Sequence, residues 1–451
     1  MISSSLAKDL IKDSILDLKF FSERKRRDNI GKMLDYYSGN YTDQYIKKRF
    51  AAKVWQEVPV VNFNITKRFI DRMARVYTLG ASRNANSTYE KLTRFKDTKM
   101  KHIEKMTRLL GTVATKVEIK YDYLGEAYFD YEPIYYFNSH FADDRMQPIA
   151  IRYPLLSNTT DLSLGAVKDL KHVYWDDNRV IIYDENGTIV SETGHNIGMM
   201  PIAFTHREYP IAEFYAGGAD DIVSCNESIN ILLTEANLGM RFQMFGQQVI
   251  TGFYSDETQT RLGSDELFVL PEGSKFENVA PNANVKGAID LVKTMMDLCA
   301  QNNHLYVSFA ESSSDRPTSG IALKIKDLER FEDFQDDVDL WREHEQNLYT
   351  VEQAVAKASN ISIPNEFAVD FNEPAYPQTA QDQIALEKWE LEQGLTNSAE
   401  LLMKRNNELS IEEAQLIIDT NKALNGTKDQ PEQEPRSSIF GRVLRESSEA
   451  E

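Results

Sequence analysis

Residues 219–246 read ADDIVSCNESINILLTEANLGMRFQMFG, and this stretch decides the reading of the chain. Ile222, Ile229, Leu233, Ala236, Met240 and Met244 follow one another at gaps of seven, four, three, four and four, the recurrence of one face of an α-helix. At about 1.5 Å per residue the run makes a rod of roughly 40 Å. A lone helix cannot bury such a stripe, so the expected partners are equivalent helices of neighbouring subunits.

Upstream, helix-like spacing covers 5–37, 64–79 (Ile65, Phe69, Ile70, Met73, Ala74 and Tyr77 after Asn64) and 88–114. From Lys116 the period changes to alternation: Val117, Ile119, Tyr121 and Tyr123, then Gly125, then Tyr128, Phe129 and Tyr131, which predicts a hairpin. Further strands are expected at 147–156, 171–175 and 179–192. Asp176-Asp177-Asn178 separates the last two, and Asn186-Gly187 breaks the last. One more strand leads to Gly217-Gly218, whose flexibility suits a boundary.

Downstream, 247–284 carries short β-like pieces (Val249–Phe253 and Glu266–Leu270) among glycines and prolines, and a second helix is expected at 285–308. Residues 309–320, FAESSSDRPTSG, have no apolar period and predict an exposed loop. A longer helix follows at 321–358, a strand at Phe367–Phe371, and two or three helices at 379–425. The polar segment 427–451 has the composition of a disordered tail. The fold class is therefore α+β, mostly helical.

The chain has 451 residues, with 51 Lys and Arg against 70 Asp and Glu and a net charge of −19, which argues against a protein that coats nucleic-acid phosphates. No apolar run approaches the ~18 residues a membrane helix needs. Lys8, Asp9, Lys12 and Asp13 interrupt the place of a secretory h-region, so the chain is expected inside the cell when made. Cys225 and Cys299 lie far apart in sequence without C-x-x-C spacing, and no disulfide is expected.

Catalytic constellations find little support. The only Gly-Lys, Gly31-Lys32, is followed by Met33 and has no upstream Gly of a phosphate loop. His102, His140, His172, His195, His206, His304 and His344 include no pair three to five residues apart, and each reads as structural. No G-x-S-x-G occurs. The segment 327–345 holds nine carboxylates (Asp327, Glu329, Glu332, Asp333, Asp336, Asp337, Asp339, Glu343 and Glu345) and is the best enzyme-like feature. On one helix those positions spread around the barrel, so a solvated or channel-facing surface is preferred to a metal site. The run Arg24-Lys25-Arg26-Arg27 fits a solvated helix face better than an anionic partner. The hairpin aromatics, with Tyr135, Tyr136 and Phe137, fit sheet packing better than base stacking.

The order of parts is α/β body, rod, small β insertion, second rod, polar loop, very long helix, strand and helical cap. With it go Tyr36-Tyr37-x-Gly39, Asn64-Ile65 before the Ile70–Tyr77 run and Gly80, and His195-x-x-Gly198-x-x-Pro201-Ile202-x-Phe204. Asp220-Asp221-Ile222, Ser319-Gly320-Ile321-Ala322-Leu323, Leu391-x-x-Gly394-Leu395-x-Asn397 and Leu409-Ser410-x-Glu412-Glu413-Ala414 complete the set. Over roughly 30–425 the chain resembles the portal (connector) proteins of tailed double-stranded DNA bacteriophages. The resemblance implies an α/β wing (1–218), stem helices (219–246 and 285–308), a small α/β clip (247–284), a tunnel loop (309–320), a long kinked helix with a return strand of the wing (321–378) and a helical crown (379–426).

It further implies a homo-oligomeric ring of twelve subunits at one capsid vertex, assembled in the host cytoplasm, through which double-stranded DNA is packaged and ejected. Its partners would be the terminase large subunit, the head-tail adaptor, and the major capsid and scaffold proteins. Neither enzymatic activity, nor a cofactor, nor a membrane is expected. The stem stripe Ile222, Ile229, Leu233, Ala236, Met240 and Met244 would pack subunits. Ser312, Ser313, Ser314, Asp315, Arg316, Pro317 and Lys324 would face the DNA, with Arg316 supplying weak phosphate contacts. An acidic wall suits such a passage, because like charge keeps the duplex centred and mobile. The competing readings are a metal-dependent nuclease built on 327–345 and a cytosolic helical scaffold that forms no closed ring.

Overall fold

Helix α1 (Phe21–Ser38) closes on Gly39, which sits at φ +76° with its N–H on the carbonyl of Asp35. Helices α2 (Thr42–Lys47) and α3 (Ile65–Met73) follow. Three of the open N–H groups at the α3 start are taken by side chains: Asn64 Oδ1 accepts the N–H of Lys67 at 2.9 Å, and Asn226 Oδ1 accepts those of Ile65 and Thr66 at 2.6 and 3.2 Å. Periodicity carries this helix to residue 79, but it stops at Met73. The buried Glu104 carboxylate takes the N–H groups of Arg75, Val76 and Tyr77 at 2.5, 2.8 and 3.2 Å, offering the backbone an alternative to another helical turn.

In the computed structural model the described residues are 8, 10–11, 21–52, 56, 58–84, 86–155, 171–184, 186–245, 247–251, 275–279, 284–305, 328–372, 380–405 and 410–425. The chain divides into two compact units, Met1–Arg316 with Ala322–Ala375, and Pro317–Ile321 with Tyr376–Glu451. Of the helix expected at 5–37 the described residues carry Phe21 onward as α1, while the tail 427–451, the loop 309–320 and the strand Glu266–Leu270 lie outside the described residues.

The larger unit continues with β1 (Ala81–Arg83), α4 (Ser87–Leu92) and α5 (Lys96–Leu110). The single helix expected at 88–114 is thus two helices and the start of a strand. Gly111 ends α5 at φ +85°, and a Cβ there would lie 2.1 Å from the carbonyl oxygen of Ala216. Gly111→Ala therefore strains φ and forces backbone apart; we expect a loss of about 2–4 kcal/mol, read as a lower urea midpoint. A midpoint equal to the parent's would show the crossing to be loose.

Strands β2 (Thr112–Tyr121) and β3 (Ala127–Ile134) form the expected hairpin, turned where Asp122 Oδ1 accepts the N–H groups of Leu124 and Glu126. Then come β4 (Asn138–Phe141), β5 (Pro148–Pro154), β6 (His172–Trp175), β7 (Arg179–Tyr183), β8 (Ile189–Gly194) and β9 (Ile202–His206). The sheets are β3-β2-β9 and the antiparallel meander β4-β5-β6-β7-β8. A second apolar cluster (Ala114, Ile134, Phe137, Ile151, Val173, Ile202 and Phe214) joins residues of both, and Ile11 packs with Tyr174, Ile181 and Tyr183.

Helix α6 (Asp220–Phe245) matches the quoted stretch. The flexible boundary expected at Gly217-Gly218 is instead a tight crossing within the larger unit: a Cβ on Gly218 would meet the Leu109 carbonyl at 2.7 Å, and Ala219 N–H bonds that same oxygen at 2.8 Å. Strands β10 (Gln247–Thr251) and β11 (Lys275–Val279) pair antiparallel. Helix α7 (Val285–Asn302) ends short of the expected 308, because His304 takes φ +49° and Leu305 N–H returns to the Ala300 carbonyl at 2.8 Å. Helix α8 (Leu328–Ala358) leads to β12 (Val369–Phe371), which pairs antiparallel with β1. The main core gathers α1, α3–α8, β2 and β3.

The smaller unit contains α9 (Ala380–Glu392), α10 (Ser398–Arg405) and α11 (Ile411–Asn425). Ser410 and Glu413 cap α11 reciprocally, with the Ser410 N–H on Glu413 Oε2 at 2.9 Å and the Glu413 N–H on Ser410 Oγ at 3.4 Å. The architecture is mixed α and β, with more helix than strand. Among the described residues no helix is long and apolar enough to cross a membrane.

Candidate functional site

The quoted helix is rooted by a polar ladder on one face. Asn226, Asn230 and Thr234, four residues apart and all buried, take the backbone of an extended segment: Asn226 the N–H groups of Ile65 and Thr66, Asn230 that of Phe63 at 2.9 Å, and Thr234 that of Val61 at 3.0 Å. Lys32 adds an ion pair to Glu227 at 2.5 Å. Asp221 meets Asn303, just past α7, at 3.0 Å, and Cys225 Sγ meets the Met295 carbonyl at 3.7 Å, so α6 and α7 run antiparallel.

This corrects the assignment of the apolar stripe. Ile222 and Ile229 are already buried in the chain's own core and offer nothing to a neighbour. Leu233 and Ala236 are half-buried, Leu233 against that core, whereas Met240 is 44% exposed. The Met244 side chain lies outside the described residues. Sequence reasoning missed the apolar face of α7 that carries Leu291 and Leu298, which are 49% and 56% exposed; Ile289, also exposed, lies on the opposite side of the helix. Its signal was the seven-residue gap from Leu291 to Leu298, set in a helix otherwise read only by its ends. The loop residues Ser312, Ser313, Ser314, Asp315, Arg316 and Pro317, and Lys324, lie outside the described residues.

The acidic segment of α8 is not one solvated face. Glu345 is fully buried, as are Glu352 one heptad on and Lys96 of α5. Lys96 Nζ lies 2.8 Å from Glu345 and 2.7 Å from Glu352, and Arg83 reaches Glu345 at 2.6 Å. Tyr77 donates to Glu345, and Tyr89 and Tyr131 donate to Glu352. Two carboxylates balance two cations, which is what allows charge in a core. Burial alone would raise the Glu345 carboxyl, but Lys96 and Arg83 hold it down to about 2. The periodic pattern could not show this, because the partners come from segments more than 200 residues upstream.

Three further carboxylates of α8 meet separate partners: Asp333 meets His304 at 2.8 Å, Asp337 meets Arg108, and Asp339 meets Arg342 at 2.8 Å. A cleft of about 630 Å³ beside them is lined by Arg72, Arg75, Arg108 and Arg207 as well as by Asp336 and Glu343. Its mixed charge suits a polar joint rather than a phosphate sink. Among the described residues no group of three or more His, Cys, Asp or Glu is arranged to hold a metal ion.

Of the basic run, Lys25 is exposed, but Arg26 is not a solvated side chain: its guanidinium lies 4.1 Å over Tyr215 and 4.8 Å over Tyr136, and it donates to the Phe137 carbonyl at 2.5 Å. The hairpin aromatics pack as expected at Phe129, Tyr131, Tyr136 and Phe137, while Tyr121 and Tyr123 stand exposed at the turn. Against models of known protein families the chain gives no match, and no curated protein matches it.

Proposed function

We propose that the chain is the subunit of a portal-type ring, through which double-stranded DNA enters and leaves a tailed-phage capsid. One observation carries the reading: an antiparallel helix pair, α6 and α7, rooted in an α/β body and bearing the antiparallel strand pair β10–β11 between its halves, exposes Leu291 and Leu298, seven residues apart on one face of α7. An apolar face of this kind on a soluble helix pair calls for a partner, and a second copy of the same pair supplies it in heterologous, ring-closing fashion. In this reading 247–284 is the clip that meets the terminase and later the adaptor, 309–320 with Arg316 faces the DNA, and 379–426 is the crown. The net charge of −19 repeated around a ring keeps the bore repulsive to phosphate.

The test is direct imaging of the purified full chain by negative-stain electron microscopy, with mass photometry for the subunit count. Closed rings with a central hole and a mass near twelve chains are expected. Compact single particles, or open clusters, would overturn the proposal. Incubation with linear duplex and Mg²⁺ in the same experiment separates the nuclease reading, since progressive cleavage has no place in a passive conduit.

A further inference from the structure

We propose that Cys225 and Cys299 are a peroxide-oxidisable thiol pair whose disulfide staples α6 to α7. Far apart in the sequence, they are brought together by the antiparallel packing of the two helices. Cys225 Sγ lies 3.7 Å from the carbonyl oxygen of Met295, one helical turn before Cys299 on α7, and Cys225 packs against the apolar cluster that contains Cys299. Both are free cysteines; Cys225 is half-buried and Cys299 buried. The pair sits at the α6–α7 packing seam, one turn from the Asp221–Asn303 contact that fixes the register of the helices.

The two sulfurs are chemically unequal. The hydrogen bond from Cys299 draws the Cys225 thiol below its ordinary range, against burial and the nearby Asp221 carboxylate, and the same bond together with burial pushes Cys299 up. Cys225 is the more accessible sulfur and the one peroxide reaches first, with the buried Cys299 on the facing helix to resolve, the arrangement that peroxide-sensing thiols require. Cys225 loses its proton and attacks one oxygen of hydrogen peroxide; the O–O bond breaks, hydroxide leaves, and Cys225 becomes a sulfenic acid. Cys299 then attacks the Cys225 sulfur, the S–O bond breaks, and the departing oxygen leaves as water with the Cys299 proton. Two thiols lose two electrons in all, and one peroxide becomes two waters. A thiol reductant such as glutathione reverses the bond.

The experiment uses the reduced full chain under native conditions. It is exposed to hydrogen peroxide, quenched with catalase, alkylated after denaturation and digested for mass spectrometry. The expected result is loss of both alkylatable thiols together with a peptide joining Cys225 to Cys299 within one chain. Cys299→Ser should instead accumulate a dimedone-trappable sulfenic acid at position 225, and Cys225→Ser should leave Cys299 alkylatable at the same dose. Because the wild-type chain is the primary sample, a variant that fails to fold leaves the test standing. Survival of both thiols, oxidation of Cys225 to sulfinic acid without a crosslink, or bridges found only between chains would each overturn the proposal.

Discussion

Leu298→Asp should leave a folded chain that does not close into the proposed ring, and Leu291→Asp should do the same. Both leucines stand about half exposed, on one face of α7, at a spacing of seven. In the free chain an exposed leucine replaced by a carboxylate shifts stability by no more than about 0.5 kcal/mol. In an interface between copies the same change removes roughly 1.5–3 kcal/mol of apolar burial and adds the several kcal/mol of desolvating an unpaired ion. Every interface of the proposed ring would repeat that loss, so its closure should fail in an all-or-none manner. Mass photometry should show single chains in place of the ring, with an unchanged urea midpoint for the dissociated chain. Rings of normal abundance from both variants would show that α7 does not face a neighbour. Leu233, the choice periodicity suggests, is the wrong site for this test: it packs against the chain's own core, so a charge there should destabilise the fold as well as any interface.

The difference between Leu233 and Leu298 shows what the sequence discloses and what it withholds. Helix α6 was legible almost to the residue, and the β2–β3 hairpin and the meander strands β5–β8 nearly so, because each is long or bounded by Asp, Asn or Gly turn chemistry; the helices at 379–425 were legible as a group of two or three, without their individual ends. Strands β1 and β4 were invisible, being too short for alternation to register, and β1 exists only through its partner β12 at the other end of the chain. The end of α3 was misplaced because its stop signal, the Glu104 carboxylate, lies on another helix. The side-chain roles failed for the same reason. Arg26 looked solvated until Tyr136 and Tyr215 were brought around it, Glu345 looked solvated until Lys96 and Arg83 were, and Cys225 looked solitary until α7 folded back. Period tells which face of a helix is apolar; only the tertiary fold tells whether that face is already spent.

Mild acid should unfold the larger unit, and histidines rather than carboxylates should set the transition. His140, His172, His206 and His344 are each held down to about 4, in every case first by burial; Arg152 adds to the effect at His140 and His172, and His344 adds to it at His206. Among the described residues Nε2 of His140 and Nδ1 of His172 have no hydrogen-bond partner, so a proton placed there would be buried without an acceptor. In the unfolded chain these rings titrate near 6.5. Between about pH 6.5 and 4 the unfolded state therefore binds protons that the native state refuses, and stability falls as pH falls. Each such proton contributes about 1.4 kcal/mol per pH unit, so four together give a slope of roughly 5 kcal/mol per unit, enough to exhaust a typical margin of about 5–15 kcal/mol. Glu345, held down to about 2, keeps its contribution throughout that window and loses it only below the ordinary carboxylate range, while Glu104, raised by burial, works in the opposite direction by favouring the protonated native state. Urea midpoints measured at pH 7.0, 6.0 and 5.0 should drop steeply with an unchanged m-value, and His344→Gln, if it folds, should flatten the drop by about a quarter. Midpoints that hold level down to pH 5 and collapse only below 4 would assign acid lability to the carboxylates and would mean that the four rings are not the buried neutral bases described above.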